Sequence, residues 1–206
     1  TIHNYRGEHA IARNLADLAM DISTEHKLAL WLAMSKIQRG WALLGVGERA
    51  AGADQLKEGV AGWTKTGAKA GLTFFFAALI WGLWQAGRLD EAMLTIEEME
   101  AFIAAKGERF FEAELLRLRG EVLLARDPSA TGAAEECFRR GLEIARRQEA
   151  RAWELRNAQS LARVLFQRGQ VGEARTTVQS VLDWFQEGKD TADLREARSL
   201  LASFQT

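Results

Sequence analysis

The sequence predicts an all-α fold: a right-handed α–α superhelix of about four helical hairpins plus flanking helices. Three observations carry that reading. The composition favours helix, with 48% hydrophobic and 27% charged residues, Ala, Leu, Glu and Arg throughout, and a single proline, Pro128. No stretch alternates apolar and polar residues long enough for a half-buried strand. Chain-breaking segments recur at a nearly constant interval of about 41 residues. One set is marked by Lys27, Lys69, Arg109 and Arg151. A second set lies between, marked by Gly47, Gly87, Asp127 and Gly169. Two interleaved sets with one period mean two helices per repeat.

The elements follow in order. A leading helix is expected from about Arg6 to Ile22. Four hairpins come next: Glu25–Leu44 with Arg49–Thr66, Ala70–Gln85 with Leu89–Lys106, Arg109–Arg126 with Gly132–Gln148, and Ala150–Arg168 with Val171–Glu187. A last helix, Ala192–Phe204, closes the stack. Glycine past a helix end supplies the stops, because it enters the left-handed region cheaply. Each second helix carries an early alanine (Ala53, Ala92, Ala134, Ala174), and three first helices carry Gly40, Gly120 or Ala162 opposite. Small residues let paired backbones approach closely. The second repeat departs from this with Ile80.

Residues 1–206 read as one repeat domain, and the opening Thr1 suggests a piece of a larger polypeptide. The formal charge is −1, from 27 basic against 28 acidic residues, so no nucleic-acid footprint is expected. The one cysteine, Cys137, allows no internal disulfide and points to a reducing compartment. The longest apolar run, Ala70–Trp84, is shorter than the roughly 20 residues a membrane span needs, and reads as a buried helix.

A small residue late in the first helix, glycine in the turn and alanine early in the second helix resemble tetratricopeptide repeats, with a period longer than the standard of about 34. Within that class, Arg39-Gly40-Trp41-Ala42-Leu43, Phe111-Glu112-Ala113-Glu114-Leu115-Leu116-Arg117, Leu142-Glu143-Ile144-Ala145-Arg146-Arg147-Gln148 and Trp184-Phe185-Gln186-Glu187-Gly188-Lys189-Asp190 are similar to the C-terminal repeat region of bacterial adenylate/guanylate cyclase-like proteins with a central ATPase module. The resemblance covers about Arg39 to Leu201. It implies a bacterial cytoplasmic protein with cyclase and ATPase parts upstream. None of that family's cyclase or nucleotide-binding residues lies in this chain, so the resemblance implies no catalytic residue and no cofactor here.

Other motifs have plain structural readings. Gly62-Trp63-Thr64-Lys65-Thr66-Gly67-Ala68-Lys69 lacks the Lys-Ser/Thr pair directly after its second glycine that a phosphate loop requires. His3, His9 and His26 have no zinc spacing. Cys137 reads as a small core residue. Glu97-Glu98 and Glu135-Glu136 read as a solvated face.

In tetratricopeptide stacks the first helices line a groove. The resemblance assigns to it Met34, Ile37, Trp41 and Leu44, then Phe74, Ala77, Trp81 and Trp84, then Glu114, Arg117, Glu121 and Leu124, then Arg156, Gln159, Arg163 and Phe166. Its character changes from apolar and aromatic to charged. The helix Ala70–Trp84 is apolar all round, and two packed sides leave a third side that needs a cover. The expectation is a non-catalytic scaffold binding a protein or peptide, or upstream parts of its own polypeptide, through Met34, Ile37, Trp41, Phe74, Trp81, Trp84, Arg117, Glu121, Arg156 and Arg163. The alternatives are an apolar cavity sensing a small effector, and homodimerisation through the apolar face.

Overall fold

The structure is a computed structural model that describes residues 1–204. All regular elements among the described residues are helices: α1 Ile2–Tyr5, α2 His9–Glu25, α3 Ala29–Gly45, α4 Arg49–Lys65, α5 Leu72–Gln85, α6 Leu89–Lys106, α7 Glu112–Arg126, α8 Thr131–Arg147, α9 Arg151–Gln167, α10 Val171–Leu182 and α11 Ala192–Ser203. The four expected hairpins are α3–α4, α5–α6, α7–α8 and α9–α10. The chain divides into two compact units, Thr1–Glu108 and Arg109–Thr206.

The stops are built by a recurring backbone motif. At the end of α3, Gly47 (φ 89°) donates its N–H to Leu44 O at 3.1 Å, and Glu48 N–H reaches back to Leu43 O at 2.9 Å. The same two bonds occur at Gly87 and Arg88 after α5, and at Gly169 and Gln170 after α9. This is a Schellman closure, which uses up carbonyls that the helix end leaves open. The third repeat does it differently. Asp127 is extended (φ −144°), and its carboxylate accepts bonds from the Ser129 N–H (2.9 Å) and Oγ (2.7 Å).

The second-helix ends also turn through the left-handed region, at Lys27 (φ 55°), Gly67 (78°), Gly107 (73°) and Glu149 (54°). These positions recur with the repeat, and they mark its period more directly than Lys69, Arg109 and Arg151 just beyond them. At Lys27 and Glu149 a non-glycine residue holds the strained conformation.

Several boundaries differ from expectation; α2 runs on to Glu25, past the expected Ile22, and α7 starts at Glu112, past the expected Arg109. α10 stops at Leu182, short of the expected Glu187. α3 begins at Ala29, because the left-handed Lys27 breaks the helix expected from Glu25. The leading helix starts at His9, not Arg6, because Gly7 (φ 75°) ends a separate short helix, α1.

In the first unit, α1 lies against α2 and α3, α2 against α3, α4 against α3 and α5, and α5 also against α3 and α6. In the second unit, α7 pairs with α8, α9 packs on α7, α8 and α10, and α11 packs on α9 and α10. In both, first helices touch first helices.

Small residues set the approach in the α3–α4 hairpin. A Cβ on Gly40 would lie 2.8 Å from both Gly52 O and Leu56 Cγ. In the second repeat the small residue is displaced to Gly82. It faces α4, where Leu56 Cδ1 lies 2.7 Å from where its Cβ would be. The four early alanines, Ala53, Ala92, Ala134 and Ala174, are all fully buried. Ile37, Leu56, Ile80, Leu83, Ile96 and Met99 form the inaccessible core of the first unit, and Phe138, Leu155 and Leu165 that of the second. Each such side chain contributes roughly 1.5–3 kcal/mol by leaving water.

Candidate functional site

The first-helix positions fall into two surfaces, one in each unit. In the first unit the apolar helix α5 has three neighbours, α3, α4 and α6, and none of its side chains from Leu72 to Gln85 is fully exposed. The third apolar side expected from the sequence is therefore covered in part by α3. What remains accessible is half-buried aromatic surface. Tyr5 meets the Trp41 ring edge-on at 4.8 Å, Trp41 meets Phe74 at 5.8 Å, and Tyr5 stacks near Phe74 at 6.4 Å. These rings come from α1, α3 and α5, three neighbouring helices. Edge and offset arrangements of this kind add to the gain from burial alone. Met34, Trp81 and Trp84 are half-buried on the same helices.

Ile37 does not belong to this surface. It is 0% exposed, and a Cβ on Gly59 would sit 2.6 Å from its Cγ1. Leu44 and Ala77 are also buried. α3 is packed by α1, α2, α4 and α5, so a face assigned to a groove from repeat register alone becomes core here. Tyr5 is a member of the surface that the sequence reading misses. A signal for it exists: Gly7 precedes Gly47 by the same interval that separates Gly47 from Gly87.

In the second unit the first-helix face is a polar ladder. Glu114 is 5% exposed and takes two bonds from Arg117, Nε to Oε2 and Nη2 to Oε1, both 2.8 Å. Glu121 lies 3.5 Å from Arg117 and accepts a 2.6 Å bond from Ser160 Oγ on α9. Arg156 reaches Asp193 on α11 at 2.9 Å and lies 3.8 Å from Glu114. Gln159 donates to Asp193 O at 3.2 Å, and Arg163 pairs with Glu196 at 2.5 Å. Burial alone pulls the Arg117 guanidinium down, but the Glu114 charge and hydrogen bonds outweigh it and hold the group above its ordinary value. The residues assigned to the charged half of the groove are thus brought together, but they are matched to one another. α11 supplies Asp193 and Glu196 and behaves as a further first helix.

His3 bonds Glu8 at 2.5 Å, His9 lies 3.4 Å from Asn4 Oδ1, and His26 is exposed. No cluster of His, Cys, Asp and Glu suited to a metal occurs among the described residues. Cys137 is half-buried, not core. Glu97, Glu98 and Glu136 are exposed, while Glu135 pairs with Arg139 at 2.8 Å and with Arg168. Among the described residues no helix is long and apolar enough to cross a membrane. Clefts of about 480 and 200 Å³ lie in the second unit, lined by residues such as Gln179, Phe185 and Arg198, and Arg139, Leu142 and Thr177; none of the tryptophans contributes to them.

No known family model matches the chain, and no curated protein matches it in sequence. Solved structures do match in fold. Two crystal structures of nearly identical TPR-like repeats of kinesin light chain type, from Podosopora anserina, align with TM-scores of 0.64 and 0.60 at 17% identity. They cover 98% of this chain, and 91% and 92% of theirs. BtubC (BKLC) from P. vanneervenii aligns with a TM-score of 0.67 at 16% identity, covering 95% of this chain and 81% of that one. At such identities the likeness is one of fold: paired helices of tetratricopeptide-like repeats.

Proposed function

We propose that this chain is a non-catalytic scaffold that docks a protein or peptide on the first-helix face of its first unit. The observation that carries the reading is the contrast between the two faces. The charges on the first-helix face of the second unit are matched to one another, by bonds linking α7, α9 and α11. The aromatic rings of Tyr5, Trp41 and Phe74, with Met34, Trp81 and Trp84 beside them, keep part of their surface in water. Half-buried aromatics give a partner large contact area at small entropic cost, which is why tryptophan is prominent among binding hot spots. Arg117, Glu121, Arg156 and Arg163 then serve to hold first helices together, and Arg163, with a 40% exposed side chain, remains the one most open to a partner.

A displayed peptide library panned on the chain tests this. Peptides enriched on the native chain should lose binding at least roughly tenfold on Trp81→Ala, with helicity unchanged by circular dichroism. Peptides that bind Trp81→Ala and Trp41→Ala as well as the native chain would overturn the assignment. The wider setting we propose is the C-terminal docking region of a bacterial cyclase-type signalling polypeptide. It rests on the sequence segments quoted above, and cyclase and ATPase modules encoded upstream would support it.

A further inference from the structure

Four exposed apolar side chains share one face of α2. Ile11 (49% exposed), Leu15 (49%), Leu18 (56%) and Ile22 (45%) form one stripe at helical spacing. Such a seam on a surface helix ordinarily faces another helix.

The repeat register says which one. Gly7 takes the place of Gly47 and Gly87, with φ of 75°, 89° and 75°. Its N–H bonds Asn4 O at 3.2 Å, and Glu8 N–H bonds His3 O at 2.8 Å, the same closure that ends α3, α5 and α9. In the next turn Ala12 bonds Glu8 O at 3.0 Å, as Gly52 bonds Glu48 and Ala92 bonds Arg88. α2 therefore stands in the register of a second helix, and α1 in that of the last turn of a first helix. Asn4 is buried there, donating to Gln38 O of α3 at 3.0 Å.

Shifted by one repeat, in the register that carries Gly7 onto Gly47, the stripe falls on Ala51, Gln55, Glu58 and Gly62 of α4. That edge faces the first helix of its own hairpin. Gln55 accepts from Arg39 at 3.0 Å, Glu58 from Lys36 at 2.8 Å, and a Cβ on Gly62 would lie 3.2 Å from Ala33 Cβ. In α2 the same edge is apolar and faces no such helix among the described residues.

We infer that the α2 stripe is the seat of an amphipathic helix running directly into Ile2–Tyr5 in the same polypeptide, antiparallel to α2 and apolar along the facing edge. α3 has 17 residues and α1 represents the last four of such a helix, so about three and a half further turns complete it. The hairpin so formed is a fifth repeat, and it places Tyr5 at the end of a full first helix beside Trp41.

Thiol labelling of the polypeptide as its gene encodes it tests this. Leu18→Cys and Leu15→Cys lie on the stripe, and Asn14→Cys, also exposed, lies off it. In the encoded polypeptide the stripe cysteines should label at least roughly tenfold more slowly than Cys at position 14, independent of concentration. Equal rates would overturn the inference. Protection that disappears on dilution would overturn it in favour of a second copy. A proline- or glycine-rich segment encoded directly before Thr1 would also overturn it.

Discussion

Replacing Arg117 by methionine should destabilise the second unit by about 2–4 kcal/mol. Removing one partner of a buried ion pair costs about 3–5 kcal/mol, because the other charge is left without compensation. Here the stranded group is Glu114, whose side chain is 7% exposed and which loses both 2.8 Å bonds. Arg156 stays 3.8 Å from Glu114, and this lowers the expected cost. Methionine keeps most of the packing of the Arg117 stem, so the loss is electrostatic and not a cavity. Removing the second charge as well, in Glu114→Gln with Arg117→Met, should return the cost to about 1 kcal/mol; with Glu114→Gln alone costing about 1 kcal/mol, because Arg117 keeps Glu121 at 3.5 Å, the coupling is about 3 kcal/mol. Urea unfolding followed by circular dichroism measures all three variants. The pair is shielded from solvent, so the coupling should persist in high salt. A single variant costing under about 1 kcal/mol, or a coupling near zero, would refute the claim that these charges are spent on holding α7 in place.

Three further outcomes follow from the turns and the surface pairs. Lys27→Gly and Glu149→Gly relieve left-handed strain and should each stabilise by up to about 1 kcal/mol. Gly47→Ala, whose Cβ would meet nothing within 4 Å, should cost about 1–2 kcal/mol for backbone reasons alone; thermal melts of the three report it. Hydrogen bonds from Arg88 (2.6 Å) and then Lys57 (2.6 Å) hold the Glu91 carboxyl down at about 2, against its ordinary 4.5. A depressed carboxylate stabilises above its unfolded value, so its contribution should be lost as pH falls from about 4.5 to about 2. Glu91→Gln should flatten the stability profile in that window alone.

The period is legible because most left-handed turns use glycine, a residue with few other reasons to recur at a fixed interval. Where Lys27 and Glu149 hold the same conformation, composition carries no trace of it, and spacing alone starts α3 too early. α1 escapes notice although Gly7 keeps the period, because so short a helix cannot show helical spacing. The groove assignment meets a different limit. Periodicity on α3 shows which residues share a face but not how many helices surround it, so it puts Ile37 on a surface that α4 covers. The second-unit residues are legible by position. Their pairing is not, since Asp193 lies 37 residues from Arg156 and Glu196 lies 33 from Arg163, on a helix whose role as a further first helix leaves no mark in the sequence.

Chemical-shift mapping with a library-selected peptide tests the docking surface most directly. Resonances of Tyr5, Trp41, Phe74, Trp81 and Trp84 should move on titration, while the indole N–H of Trp63, buried without a hydrogen-bond partner, stays fixed. Shifts confined to the outer residues of α4 and α6, such as Glu58, Glu97 and Glu98, would contradict the account.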